Sequence, residues 1–195
     1  MGQGIKRAII VHCWSGYPEY CWYPYVKNEL EKKGFEVMVP AMPDTDEPKL
    51  INWLPKLKEV VGIADKNTYL IGHSLGCITI MHYLETLPTD QKVGGVVFVA
   101  GFTDDLGFDE IKNFFGTPID FEKIKSQAGK LIAIVSDDDP FVPLDRSDII
   151  KEKFGAELII KHKARHFSGA ADGEKACTEL SDVVEAVQRL QSFPV

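Results

Sequence analysis

The stretch Gly72-His73-Ser74-Leu75-Gly76 constrains this chain more than any other. It follows the apolar run Tyr69-Leu70-Ile71 and precedes a helical pattern over 75–87, so it reads as a tight turn from a buried strand into a helix. Glycines on both sides of the serine suit such a turn. Without a Cβ they let the backbone bend sharply, and they lift the hydroxyl above the end of the sheet. Backbone strain of this kind tends to sit where function needs it. The plainer reading is a glycine turn that only packs helix against strand. Its weight depends on whether the rest of the chain supplies partners for a reactive serine.

The remaining sequence alternates in the same way. Apolar runs at 7–14, 35–39, 68–71, 94–100, 130–135 and 157–160 predict strands, several of them apolar enough to be covered on both faces. Helical spacing is predicted over 23–33, closed by Gly34, and over 48–63, where Pro55 weakens the middle. Further helices are expected at 144–154 and 173–190. Strands alternating with helices imply an α/β fold, a mainly parallel sheet with helices on both faces. Ligands of such sheets bind beyond the carboxyl ends of the strands, where the serine turn lies.

With 195 residues, 45% of them hydrophobic, the chain is expected to form a single domain over 1–195 with a substantial core. A net charge of −7 disfavours a nucleic-acid partner. No apolar run reaches the roughly 20 residues of a membrane span, and the N-terminal run lacks the features of a signal peptide. Gly2 suggests no myristoylation, because Lys6 occupies the position that needs Ser or Thr. Cys13, Cys21, Cys77 and Cys177 show no metal-ligand spacing and are too sparse for a disulfide scaffold. A cytoplasmic protein with reduced thiols and no metal is expected.

A serine hydroxyl is a weak nucleophile until a base takes its proton. On a sheet of this type the partners come in the order serine, acid, histidine, each after a later strand. The turn Ser136-Asp137-Asp138-Asp139-Pro140 follows one predicted strand, and His166 follows another in Lys161-His162-Lys163-Ala164-Arg165-His166. Asp139, four residues before Pro143, is the leading acid; Asp138 is the runner-up and Asp137 third. His162 competes with His166, and the aspartates could equally be a solvated turn. His12, His73 and His82 read as structural or pocket-lining. For an oxyanion the first helical N–H, that of Leu75, is one donor. The loop His12-Cys13-Trp14-Ser15-Gly16 offers the second at Trp14, with Cys13 where a glycine is common in such enzymes.

Several further stretches carry a resemblance: the 22–37 segment, Met42-Pro43-Asp44 followed by Trp53-Leu54-Pro55, Gly-His-Ser-Leu-Gly itself, Phe102-Thr103-Asp104-Asp105-Leu106-Gly107, and Asp138-Asp139-Pro140-Phe141-Val142-Pro143. Together they resemble the small α/β-hydrolases of the retinoblastoma-binding protein 9 and YdeN type, over nearly the whole chain. The resemblance implies a compact α/β-hydrolase fold and a cofactor-free serine hydrolase with a triad at Ser74, Asp139 and His166. It does not extend to the Leu-x-Cys-x-Glu motif that binds retinoblastoma protein, since Gly62-Ile63-Ala64-Asp65-Lys66 lacks all three residues. The expected reaction is hydrolysis of small carboxylic esters, with amides or thioesters as variants. The rival reading is a protein-binding module on a hydrolase scaffold. Residues 101–129 leave room for two short helices, near 109–115 and 121–127, and for little or no lid. Trp14, Phe102 and Phe141 are expected to edge a shallow apolar pocket.

Overall fold

A computed structural model describes residues 4–169 and 175–192. Six strands, β1 (Lys6–Val11), β2 (Phe35–Met38), β3 (Thr68–His73), β4 (Gly95–Val99), β5 (Leu131–Ser136) and β6 (Glu157–Lys161), form one sheet in the order β2-β1-β3-β4-β5-β6. Every pairing is parallel. β3, β4 and β5 are buried along their whole length, which is why they read as continuous apolar runs rather than as alternating ones.

Helices α1 (Tyr23–Glu31) and α6 (Ser181–Gln191) cover one face; α2 (Leu50–Val61), α3 (Leu75–Glu85), α4 (Phe121–Ala128) and α5 (Arg146–Phe154) cover the other. The period of two along β1 divides its side chains between the two cores: Ala8 and Ile10 join Val26, Leu30 and Val187, whereas Ile9 and Val11 join Trp53, Leu57 and Ile80. α3 runs through the second core with all of Leu75–Leu84 buried, so it shows almost no amphipathic pattern.

The helix expected over 48–63 forms as α2, with Pro55 inside it. The residue whose carbonyl the proline leaves without a donor, Ile51, is exposed, so water can take the place of the missing N–H. The terminal helix starts at Ser181 rather than near 173, and 175–180 is not helical. There the Cys177 N–H donates to the Ser168 carbonyl at 2.8 Å, pinning the segment against the loop after β6 instead of letting it coil. The first residues of the predicted helix, 173 and 174, lie outside the described residues. Residues Asp109–Phe115 form a 3-10 helix.

The chain leaves β1 to build β2 on one side and then returns to place β3 on the other side of β1. The connections therefore diverge between β1 and β3, and open sheets form a crevice at such a point. Val11 and Gly72 are level in the register, which sets the loop after β1 beside the serine turn.

Candidate active site

Ser74 has φ 53° and ψ −116°, a conformation that L residues rarely adopt and that costs about 1–3 kcal/mol. Packing holds it there. A Cβ on Gly76 would lie 2.1 Å from the Val11 carbonyl oxygen, and one on Gly72 would lie 2.8 Å from the backbone of Cys77. The two glycines are thus required by close backbone approach. The Ser74 N–H donates to the Val99 carbonyl at 2.9 Å, tying the turn to β4.

His166 follows β6. Its Nδ1 is 2.8 Å and 3.0 Å from the two carboxylate oxygens of Asp139. A carboxylate accepts, so the proton sits on Nδ1 and Nε2 is left with a lone pair. The Asp139 side chain is only 2% exposed. One of its oxygens also accepts from the N–H groups of Phe141 (2.9 Å) and Val142 (3.0 Å), the hydrogen bonds a buried carboxylate needs. Phe141 sets its ring edge-on to His166, with centroids 5.0 Å apart.

The other two aspartates face elsewhere. Lys163, Arg165 and Phe167 all have positive φ, so the loop around His166 has no regular ladder. Asp137 accepts from the Lys163 N–H and from His162 Nδ1; Asp138 accepts from the Arg165 N–H and the Ser136 hydroxyl, each at 2.8 Å. The Ser136 hydroxyl in turn accepts from the Ala164 N–H. The His162 hydrogen bond, then the Lys163 N–H, hold the Asp137 carboxyl below its usual range, and the Arg165 N–H followed by the Ser136 hydroxyl do the same for Asp138. His162 is exposed, its pKa raised by Asp137. Of the two competing histidines, only His166, the one paired with Asp139, lines the cavity beside Ser74.

That cavity, about 240 Å³, is lined by Ser74, Leu75 and His166. Trp14, Phe102 and Phe141, the three expected pocket residues, border it together with Leu106, Phe108 and Ile111. The Trp14 ring meets Phe108 edge-on at 6.2 Å and its Nε1–H donates to the Asp46 carbonyl. Leu106 and Ile111 went unforeseen. Leu106 lies in the Asp-Asp-Leu-Gly turn, where it and Gly107 both take positive φ, a geometry that a Leu-Gly pair signals only weakly. Phe114, by contrast, is core.

Cys13 also lines the cavity. The glycine its loop needs is Gly16, whose Cβ would meet the Cys13 carbonyl oxygen at 2.9 Å; that carbonyl accepts from the Gly16 N–H and from His12 Nδ1. His12 Nε2 accepts from the Met42 N–H, and burial lowers the pKa of the ring. His82 bridges Glu85 and the Phe114 carbonyl, tying α3 to the cavity-bordering segment. Burial alone would lower its pKa, but those two hydrogen bonds outweigh it and raise it. No group of three His, Cys, Asp or Glu residues among those described could hold a metal ion, and no helix among them is long and apolar enough to cross a membrane.

Comparison with known proteins finds relatives along most of the chain. The chain is 31% identical over 163 residues to the putative hydrolase YdeN of Bacillus subtilis, covering 83% of this chain and 86% of that one. It is 30% identical over 172 residues to the serine hydrolase RBBP9 of Rattus norvegicus, covering 87% and 86%. The crystal structure of the B. subtilis ydeN product superposes with a TM-score of 0.89 at 29% identity, over 96% of this chain and all of the other. A structure from a study of Nitrososphaera gargenis carboxylesterases, at 15% identity, shares the fold with a TM-score of 0.73, over 97% of this chain and 92% of the other. Residues 8–182 match the serine hydrolase family, and the chain belongs to it.

Proposed function

We propose that the chain, as one hydrolase domain, cleaves small uncharged carboxylic esters through an acyl-enzyme on Ser74, with thioesters and amides open to the same machinery. The observation that carries this reading is His166, oriented by Asp139 through Nδ1, bordering the same cavity as a serine held in a strained turn. Ser74 Oγ attacks the carbonyl carbon while His166 Nε2 takes the hydroxyl proton. Asp139 keeps the imidazole in the Nδ1–H tautomer and stabilises the imidazolium. The oxyanion receives the N–H of Leu75, which as the first residue of α3 has no acceptor within the helix, and that of Trp14. Collapse expels the alcohol, which takes the proton back from His166. Water, deprotonated by the same nitrogen, then releases the acid and regenerates Ser74.

The side chains around the serine and histidine are apolar apart from the Cys13 thiol, and the cavity is smaller than the roughly 300–1,000 Å³ typical of drug-sized ligands. Short acyl groups fit it. A fluorophosphonate probe should label the wild type and not Ser74→Ala, and p-nitrophenyl acetate and butyrate should exceed the dodecanoate in kcat/KM. Labelling that survives in Ser74→Ala would remove Ser74 from the mechanism. A well-folded wild type that neither labels nor turns over would favour a binding role.

A further inference from the structure

Resting on that reading, we propose that Tyr23 and His73 are positioning residues: a one-way hydrogen-bond relay that fixes the oxyanion loop and the catalytic histidine in relation to each other. The machinery is spread over four separate segments, the loops after β1, β5 and β6 and the turn after β3, and something must hold them in register. The Tyr23 hydroxyl accepts from the Cys13 N–H at 3.1 Å and lies 2.7 Å from His73 Nδ1. The other ring nitrogen of His73, Nε2, lies 2.8 Å from the carbonyl oxygen of His166.

Every proton in this chain is assigned by its ends. A carbonyl only accepts, so His73 carries its hydrogen on Nε2. Nδ1 then carries no hydrogen and accepts from the Tyr23 O–H, and the Tyr23 oxygen accepts from the Cys13 N–H. The relay runs Cys13 N–H to Tyr23 O–H to His73 to the His166 carbonyl, with no alternative direction. Hydrogen bonds aligned in this way polarise one another. Both side chains are wholly buried, packed against Trp22 and each other.

The ends of the relay distinguish it from an ordinary satisfied core. One end is the residue before Trp14, the proposed second oxyanion donor. The other is the main chain of the proposed base, between two residues of positive φ, Arg165 and Phe167. The aspartates hold this loop at the N–H groups of Lys163 and Arg165. His73 holds the carbonyl of His166 itself, and it directly precedes Ser74. Tyr23 and His73 do not border the cavity, so they act through the residues at the two ends of the relay. Burial, with the nearby His166 adding to it, pushes the His73 pKa down to about 3, so the ring stays neutral across ordinary pH. The groups facing the relay are the thiols of Cys13 and Cys21 beside Tyr23, and the His12 and His166 rings near His73.

Tyr23→Phe deletes one hydroxyl at constant shape. Measured as kcat per active site titrated with the fluorophosphonate, so that a smaller folded fraction does not count, it should lower p-nitrophenyl acetate turnover by about 10- to 100-fold, the scale of misplacing reacting groups by up to an ångström. KM should stay within about threefold, as expected for an interaction expressed mainly in the transition state. His73→Gln keeps an N–H that can reach the His166 carbonyl and should retain more activity than His73→Leu. The Tyr23→Phe/His73→Gln double variant should lose little more than the worse single variant, because both act through one chain. Wild-type kcat in Tyr23→Phe, or losses that multiply in the double variant, would overturn the relay. Failure of the hydrolase reading would be seen separately, in a wild type that neither labels nor turns over.

Discussion

Ser74, at φ 53°, and the loop of Lys163, Arg165 and Phe167, at 54°, 53° and 55°, place the proposed nucleophile and the proposed base on or beside similarly unfavourable backbone. They are held by different means. At the serine turn the restraint is steric and buried: glycines 72 and 76 lie against the backbone of Cys77 and Val11, beneath a helix with no exposed face. At the histidine loop, apart from the buried bond from His73 to the His166 carbonyl, the restraint is electrostatic and peripheral: Asp137 and Asp138 accept the N–H groups of Lys163 and Arg165, and the Ser136 hydroxyl accepts that of Ala164. Packing of the first kind is indifferent to proton uptake by a carboxylate but has no room for a methyl group. Carboxylate restraint tolerates bulk at Lys163 and Arg165, which face water, yet depends on charge. The contrast suits the roles proposed for them. The nucleophile stays fixed through covalent attachment and release, whereas the base must gain and lose a proton every cycle.

The largest effect should separate the three neighbouring aspartates. Asp139→Asn leaves the hydrogen bonds from Phe141 and Val142 available but favours the wrong imidazole tautomer, and kcat should fall about 10⁴-fold, as when a triad loses its orienting carboxylate. Asp138→Asn keeps an oxygen for the Arg165 N–H and should cost less than the roughly 100-fold that an ångström of misplacement can. Steady-state kinetics on both variants checks the ranking. If Asp138→Asn proved the more damaging, the loop's restraint, not the orientation of the imidazole, would limit catalysis.

Next is Gly76→Ala. Its Cβ would meet the Val11 carbonyl oxygen at 2.1 Å, and neither backbone can withdraw without disturbing β1 or α3. A destabilisation of about 3 kcal/mol or more is expected from forced repacking of this kind, read as a lower urea midpoint or as loss of soluble protein. An alanine at Gly107, where nothing lies within 4 Å, meets only the strain of its positive φ and should cost less. Equal costs would show that packing is not what holds the serine turn.

How much of this was legible in the sequence differs along the same line. The strands were readable because burial on both faces makes them continuous apolar runs. The serine turn was readable because its restraint is encoded in two glycines at fixed spacing. The histidine side was readable only as order along the chain: three aspartates after β5 and two histidines after β6. Spacing does not say that Asp137 pairs with His162 or that Asp138 serves the backbone of Arg165, since those bonds depend on how far the loop folds back. The Tyr23–His73 contact spans 50 residues and left no local pattern. The late start of α6 was likewise hidden, because the Cys177–Ser168 backbone bond that keeps 175–180 out of the helix has no side-chain signature.

The remaining difference between the two regions is one of acid response. Burial depresses the His12 and His73 pKa values, the latter to about 3. In the unfolded chain both should titrate near 6.5. Below about pH 6.5 the unfolded state therefore binds protons that the folded state does not, and stability falls with pH, by up to about 1.4 kcal/mol per pH unit for each ring. His82 and His162 have raised pKa values, so their contribution is fully present below about 6.5 and lost only on the alkaline side; they do not oppose this limb. The carboxyls of Asp137 and Asp138 are depressed instead, so what they contribute persists above about 3.9 and is lost as pH falls through their folded values. Between pH 6.5 and 4.5 the protein should thus lose global stability while the carboxylate bonds of the histidine loop remain. Urea midpoints should drop across this range in the wild type and drop less in His73→Gln, while amide exchange shows no selective opening at Lys163, Ala164 or Arg165. Midpoints that hold steady to pH 4.5, with those three amides losing protection first, would reverse the assignment and make the histidine loop the acid-sensitive part of the site.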